Sequence, residues 1–219
     1  MAAGMADWIE AGRLILIGLT WLSPLLLLPL LVLAFPRALA GLARGAASAV
    51  DRVSEVGLWL AAGFCLLMAL AQLCAVALRY AFNETFGWLE ESVTYSVGIG
   101  MFLAAAGALK ANAHVRVDIF HAKLGPKGKA LVDLIGTYVF LFPVFIVLLV
   151  VFAPSLSVSW RVQEGSMLVG GIPYRYALNT LMSAFAVMMI AQGWAEALRA
   201  ALKLRGVPDG HAPAERVSV

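Results

Sequence analysis

Little of this sequence is charged. Asp, Glu, Lys and Arg make up 13% of its 219 residues, about half the share usual in soluble domains. A compact soluble domain of this length needs a charged exterior to stay in solution, and none is supplied here. Cysteine is nearly absent, with Cys65 and Cys74 the only two, both inside one apolar run. Nine positions on a helix separate them by about 13 Å, too far to pair, and no metal-ligand spacing surrounds them. They read as small packing residues. Signatures of catalysis are also missing: there is no phosphate-cradling glycine loop with Lys-Ser/Thr, no HExxH, no nucleophile elbow and no zinc-spaced cysteine pair. These absences exclude ATP hydrolysis by this chain.

What is present is apolar surface. Hydrophobic residues reach 62%, and the mean hydropathy is +0.89. Five stretches meet the roughly 20-residue requirement of a membrane-spanning helix: Leu14–Phe35, Val56–Leu78, Trp88–Leu109, Ala130–Val158 and Tyr176–Ala200. Pro24 and Pro29 in the first, and Pro143 and Pro154 in the fourth, each remove a helical hydrogen bond and predict kinks. Ala38-Leu39-Ala40 would suit a signal-peptidase site, but the first stretch is longer than a signal core and is preceded by Asp7 and Glu10 rather than a basic cluster. It is read as a retained span.

Topology follows from the cations. Arg37, Arg44 and Arg52, then Lys110, Arg116, Lys123, Lys127 and Lys129, then Arg199, Lys203, Arg205 and Arg216 lie on one side; they are twelve of the sixteen Lys and Arg. The other side has Arg13, Arg79, Arg161 and Arg175. The positive-inside rule therefore places the N-terminus outside and the C-terminus in the cytoplasm. The same distribution explains the net charge of +3 without invoking nucleic acid. Between the first two spans, Arg37, Arg44, Ser48, Asp51, Arg52 and Glu55 recur at helical spacing opposite Leu39, Leu42, Ala46, Val50 and Val53. This pattern predicts an amphipathic helix lying along the cytoplasmic surface. The tail from Gly206, GVPDGHAPAERVSV, is polar and rich in Pro and Gly, as disordered segments are.

The third span opens with GWLEESVTYSVGIGMF. Trp88 suits the headgroup layer, and Glu91, Thr94, Tyr95 and Gly98 fall at i, i+3, i+4 and i+7, a polar stripe that should face protein because lipid cannot satisfy it. Arg79 with Tyr80, and Trp160 with Arg161, close the second and fourth spans as interfacial anchors. The connection WRVQEGSMLVGGIPYRY has the glycines and proline of tight turns. It is read equally as a hairpin link or a structured docking surface. His114 and His121 flank HVRVDIFH in a basic loop and read as interfacial rather than metal-binding.

Four of these features, in order, resemble the small membrane subunit, DctQ-type, of tripartite ATP-independent periplasmic (TRAP) transporters: LRYAFN ending a span, WLEES opening the next, the basic HVRVD after it, and SWRVQEGS…GGIP before the last. The resemblance covers about Val56 to Lys203. It implies an all-α integral membrane protein of about five transmembrane helices, a four-helix family core plus one N-terminal span, with the interfacial amphipathic helix between them. Residues 1–55 would be the addition, 56–203 the core and 204–219 the tail.

It further implies a scaffold subunit, not an enzyme, in a bacterial inner membrane. Its partners would be a large membrane subunit carrying the transport and sodium sites and a periplasmic solute-binding protein, with an organic acid as cargo and no cofactor in this chain. The positions carried over as interface and topology determinants are Arg79, Trp88, Glu91, His114, Arg116, Asp118, Trp160, Glu164, Gly165 and Pro173. The competing readings are a membrane subunit of a redox or energy-coupling complex, which would usually hold haem by histidines inside spans, and a small membrane enzyme acting on a lipid or a hydrophobic thiol conjugate.

Overall fold

The computed structural model describes residues 13, 24, 26–111 and 124–208, and no strand occurs among them. Among the described residues, four helices are long and apolar enough to span a membrane: α1 (Pro36–Phe82), α2 (Gly87–Lys110), α3 (Pro126–Arg161) and α4 (Arg175–Leu204). Most of the expected first span, Leu14–Phe35, lies outside the described residues, and only its end, residues 26–34, is seen as continuous helix. A fifth span is therefore not established. His114, Arg116 and Asp118 also lie outside the described residues.

α1 corrects the expectation of a separate surface helix. Phe35, at φ −125° and ψ 62°, breaks the helix before it, and Pro36 starts the next with its φ already helical. From there the chain runs as one α-helix for 42 residues to Ala77, about 63 Å long. The sequence reading placed a boundary near Val56 because the charges stop there. Charge does not end a helix, and no proline or capping residue in RVSEV does so either.

The buried face also differs from the amphipathic prediction. Leu42 and Val53, assigned to the apolar face, are 57% and 61% exposed. The buried stripe is instead Ala40, Ala43, Ala47, Asp51, Ser54, Gly57 and Ala61. Without a strong hydrophobic drive between helices in lipid, small residues that let backbones approach closely are what hold such a pair. A Cβ built on Gly57 would stand 3.3 Å from the Leu103 carbonyl oxygen, and one on Gly107 would stand 3.3 Å from the Leu58 side chain. α1 and α2 thus pack through glycine on both sides.

α4 is the central helix and packs against α1, α2 and α3. Nearly every residue from Gln192 to Leu202 is buried. The main core joins Trp194, Leu198 and Leu202 of α4 to Phe142 of α3, Ala43 and Ala47 of α1, and Val32 of the helical segment 26–34. Tyr138 Oη donates to the Leu26 carbonyl at 2.5 Å, tying that segment to α3. Residues ahead of Val56 therefore close over the last turns of α4. α4 itself stops at Gly206, whose φ of +70° suits a left-handed C-cap. The Val207 N–H then returns to the Leu202 carbonyl at 3.0 Å, and Val207 packs on the core, so the tail begins with an ordered cap.

At Pro143, α3 accommodates proline through a defined device. Residues Thr137–Leu141 form a π-turn, in which the Phe142 N–H reaches back to the Thr137 carbonyl. Pro143 has no N–H to give to Val139, and the widened turn before it takes up the mismatch. At Pro154 the helix continues, although proline has no N–H to give to the Val150 carbonyl; Ser157 Oγ donates to the Pro154 carbonyl at 2.7 Å.

Candidate functional site

Two polar clusters hold the bundle, one at each end. The first is at the end formed by residues 83–86 and 162–174. α1 finishes in a π-turn, Leu78–Phe82, capped by Asn83 at φ +57°, a conformation asparagine tolerates better than most residues. The short link that follows sets Glu90 in the first turn of α2, where a carboxylate complements the helix dipole. Arg79 forms an ion pair with Glu90 at the surface.

Glu91, one position on, turns inward. Its carboxylate accepts from Ser166 Oγ and from the Ile172 N–H at 2.5 Å. One side chain of α2 therefore gathers both limbs of the 162–174 connection. Fit around it is close: a Cβ on Gly171 would lie 2.6 Å from Glu91 Oε2, and one on Gly87 would lie 2.5 Å from the Val169 carbonyl oxygen. The GG in GGIP is therefore required partly by what it touches. Gly170, at φ +70°, supplies the turn itself.

Glu164 organises the other half. Gln163, at φ +46°, ends α3 in the left-handed region, and Glu164 folds back over the helix end. Its carboxylate accepts from Ser159 Oγ at 2.8 Å and from Asn179 Nδ2 at 3.0 Å, and pairs with Arg175 Nε at 3.1 Å. Its backbone carbonyl takes the Tyr176 N–H at 3.2 Å. Trp160 donates from Nε1 to Thr180 Oγ1 at 2.9 Å, and its ring meets Tyr176 edge-on at a centroid distance of 4.8 Å. α3 and α4 are thus clasped across their connection.

Of the residues singled out in the sequence, Arg79, Trp88, Glu91, Trp160, Glu164, Gly165 and Pro173 all fall at this end. Glu91, Trp160 and Glu164 make the contacts just given. Trp88 is 51% exposed with its ring 6.3 Å from Phe86, and Gly165 and Pro173 are exposed. The predicted polar stripe of α2 divides. Glu91 is half-buried, Gly98 approaches Leu178, and Tyr95 presents a buried hydroxyl without a partner among the described residues. Thr94 faces outward, where its hydroxyl bonds back to the Glu90 carbonyl at 3.5 Å.

The second cluster was not foreseen. Asp51 of α1 and Arg199 of α4 form a buried ion pair with side chains 12% and 4% exposed. Arg199 also binds Glu196 at 2.6 Å. Gln192 donates to Asp51 at 3.3 Å and accepts from Ser54 Oγ at 2.7 Å. The sequence reading had put Asp51 on a solvated helix face and counted Arg199 only as a topology cation. The available signal was Gln192, a polar residue in the last span with Glu196 and Arg199 at helical spacing from it. Beside this cluster, Lys110 at the end of α2 pairs with Glu55 at 2.5 Å, more exposed on the glutamate side.

No group of three His, Cys, Asp or Glu side chains able to hold a metal occurs among the described residues. What both clusters can do chemically is fasten helices, since their charged groups are bonded within the bundle. Residues 68–203 match the family described as tripartite ATP-independent periplasmic transporters, DctQ component. The match takes in the latter part of α1, all of α2 and α3, and α4 to Lys203. Arg199 lies within it, whereas its partner Asp51 precedes it. No match was found among curated proteins or among solved structures.

Proposed function

Since the chain belongs to the DctQ component family of tripartite ATP-independent periplasmic transporters, a multi-pass membrane component of a transporter and not an enzyme, we propose that it is the scaffold of its complex. In this reading it braces a large membrane subunit that carries the solute and ion sites, and works with a periplasmic solute-binding protein. The cargo is an organic acid drawn in by an ion gradient, sodium being coupled in the large subunit and no cofactor held in this chain. The complex sits in a bacterial inner membrane, with the N-terminus periplasmic and the C-terminus cytoplasmic. Residues 1–55 are an addition to a core of residues 56–203, followed by a cytoplasmic tail.

The observation that carries this reading is how the polar groups inside the bundle are used. Glu91, Glu164, Asp51 and Arg199 each bond to other parts of the same chain. A transport path needs polar groups free to take up cargo, commonly at broken helices near the midplane. Groups already matched to one another favour a brace. The test is reconstitution: uptake requires the large subunit and the binding protein, and the isolated chain transports nothing. Uptake by the isolated chain overturns the proposal.

A further inference from the structure

Gln72 is a polar residue in the apolar part of α1 that bonds to no other part of the bundle among the described residues. The charges bracketing this part of α1 are Glu55 and Arg79, with only uncharged residues between. Gln72 lies seven positions inside Arg79, about 10 Å along the axis, and so within the apolar zone. Its side chain is exposed and makes no hydrogen bond among the described residues. A primary amide has two donors and an acceptor to satisfy, and hydrocarbon satisfies none of them. An interhelical partner is the usual solution for such a group.

The surroundings define one side of the molecule. Gln72 and Arg79 are seven apart and share a helix face, which continues through Cys65, Ala69 and Val76, all small or medium-sized except Gln72 and Arg79 themselves, and largely exposed. On α2, Glu90, Thr94, Val97 and Met101 recur at i, i+4, i+7 and i+11. Thr94, Val97 and Met101 are exposed. The Arg79–Glu90 ion pair sets these two faces side by side. Together they form a continuous flank of the α1–α2 hairpin, carrying the polar Gln72 and Thr94 within the spans and small residues that admit a close helix.

α4 is covered by α1, α2 and α3. The outward face of α3, through Ile135, Val139, Phe140, Val144, Val147 and Val151, is exposed but apolar, so hydrocarbon satisfies it without a partner.

We propose that this flank, centred on Gln72, is where a transmembrane helix of the large membrane subunit docks, and that this helix offers a hydrogen-bonding side chain or an unwound backbone group to the Gln72 amide. The inference rests on the scaffold reading above and adds the face through which the brace acts. A second copy of this chain and lipid alone are the competing occupants.

The test is photocrosslinking in native membranes from the full chain expressed with its transporter partners, with benzoyl-phenylalanine placed at position 72 or 69, and at 67 or 74, exposed on the opposite face. Adducts with the large subunit are expected from 72 and 69 and not from 67 or 74. An adduct of twice this chain's mass from 72, adducts with the large subunit only from 67 or 74, or no protein adduct from 72 would each overturn it. Copurification of the large subunit with the unmodified chain is scored separately. If it copurifies but crosslinks elsewhere, the docking face fails and the scaffold reading stands; if it never copurifies, the scaffold reading itself fails. As a second readout, Gln72→Leu should lower the large subunit retained in mild detergent by about fivefold, the effect of one interhelical hydrogen bond, without changing the unfolding of the isolated chain. Full retention, or destabilisation of the isolated chain, contradicts the assignment.

Discussion

Arg199→Leu should be among the most damaging single changes in the bundle, and its effect should be largely reversed by a second substitution. The Arg199 side chain is 4% exposed and serves Asp51 and Glu196 together, whose side chains are 12% and 26% exposed. Removing it leaves two carboxylates facing one apolar gap. Breaking a buried pair by deleting one partner typically costs 3–5 kcal/mol. Here Asp51 keeps a bond from Gln192 at 3.3 Å and Glu196 can reach water, so a loss of about 3 kcal/mol is expected.

Replacing a whole ion pair by apolar residues is close to neutral. Asp51→Leu combined with Arg199→Leu should therefore recover to within about 1 kcal/mol of the parent, giving a coupling of about 2 kcal/mol plus whatever Asp51→Leu costs alone in a double-mutant cycle. Unfolding by sodium dodecyl sulfate in mixed micelles, followed by far-ultraviolet circular dichroism, measures both quantities. If Arg199→Leu costs less than about 0.5 kcal/mol, or if the two substitutions are simply additive, the ion pair does not hold α1 to α4 and the reasoning fails.

Glu91→Ala should release the 162–174 connection, raising its protease sensitivity and amide exchange while leaving α2 helical; an unchanged cleavage pattern would show that Ser166 and Ile172 are held by something else. Gly87→Ala should destabilise by about 1–3 kcal/mol, because its new Cβ would meet the Val169 carbonyl oxygen at 2.5 Å, and the loss should appear in thermal unfolding of the detergent-solubilised chain. Asn179→Leu removes the donor shared by Ser159 and Glu164 and should cost about 1–2 kcal/mol in the same assay. Deleting residues 1–50 should strip amide-exchange protection from Trp194 to Leu202, which the deleted part helps to bury; protection that survives would show the family core to be self-sufficient there.

Much of the architecture was legible because lipid imposes simple rules. An uninterrupted apolar run must be a helix when no water is available to its backbone, so the spans ending at Lys110, Arg161 and Leu204 could be placed within a few residues from hydropathy alone. The end of the bundle bearing Glu91, Trp160 and Glu164 was legible too, since charged and aromatic residues beside apolar runs mark borders. Their bonding partners were not. Ser166, Asn179 and Ser159 are common residues without a distinguishing pattern, and they matter only because the 162–174 connection folds back on α2 and over the ends of α3 and α4.

By itself, then, the sequence determined that this chain is helical and crosses a membrane several times, because composition and run length decide how backbone and side chains partition between water and hydrocarbon. Tertiary structure decided how the helices face one another. Ala40, Ala43 and Ala47 are ordinary small residues until α4 lies against them, and Asp51 looks like a surface charge until Arg199 arrives from 148 positions away. Periodicity assigns residues to a face, but which face is buried depends on what the rest of the chain brings to it.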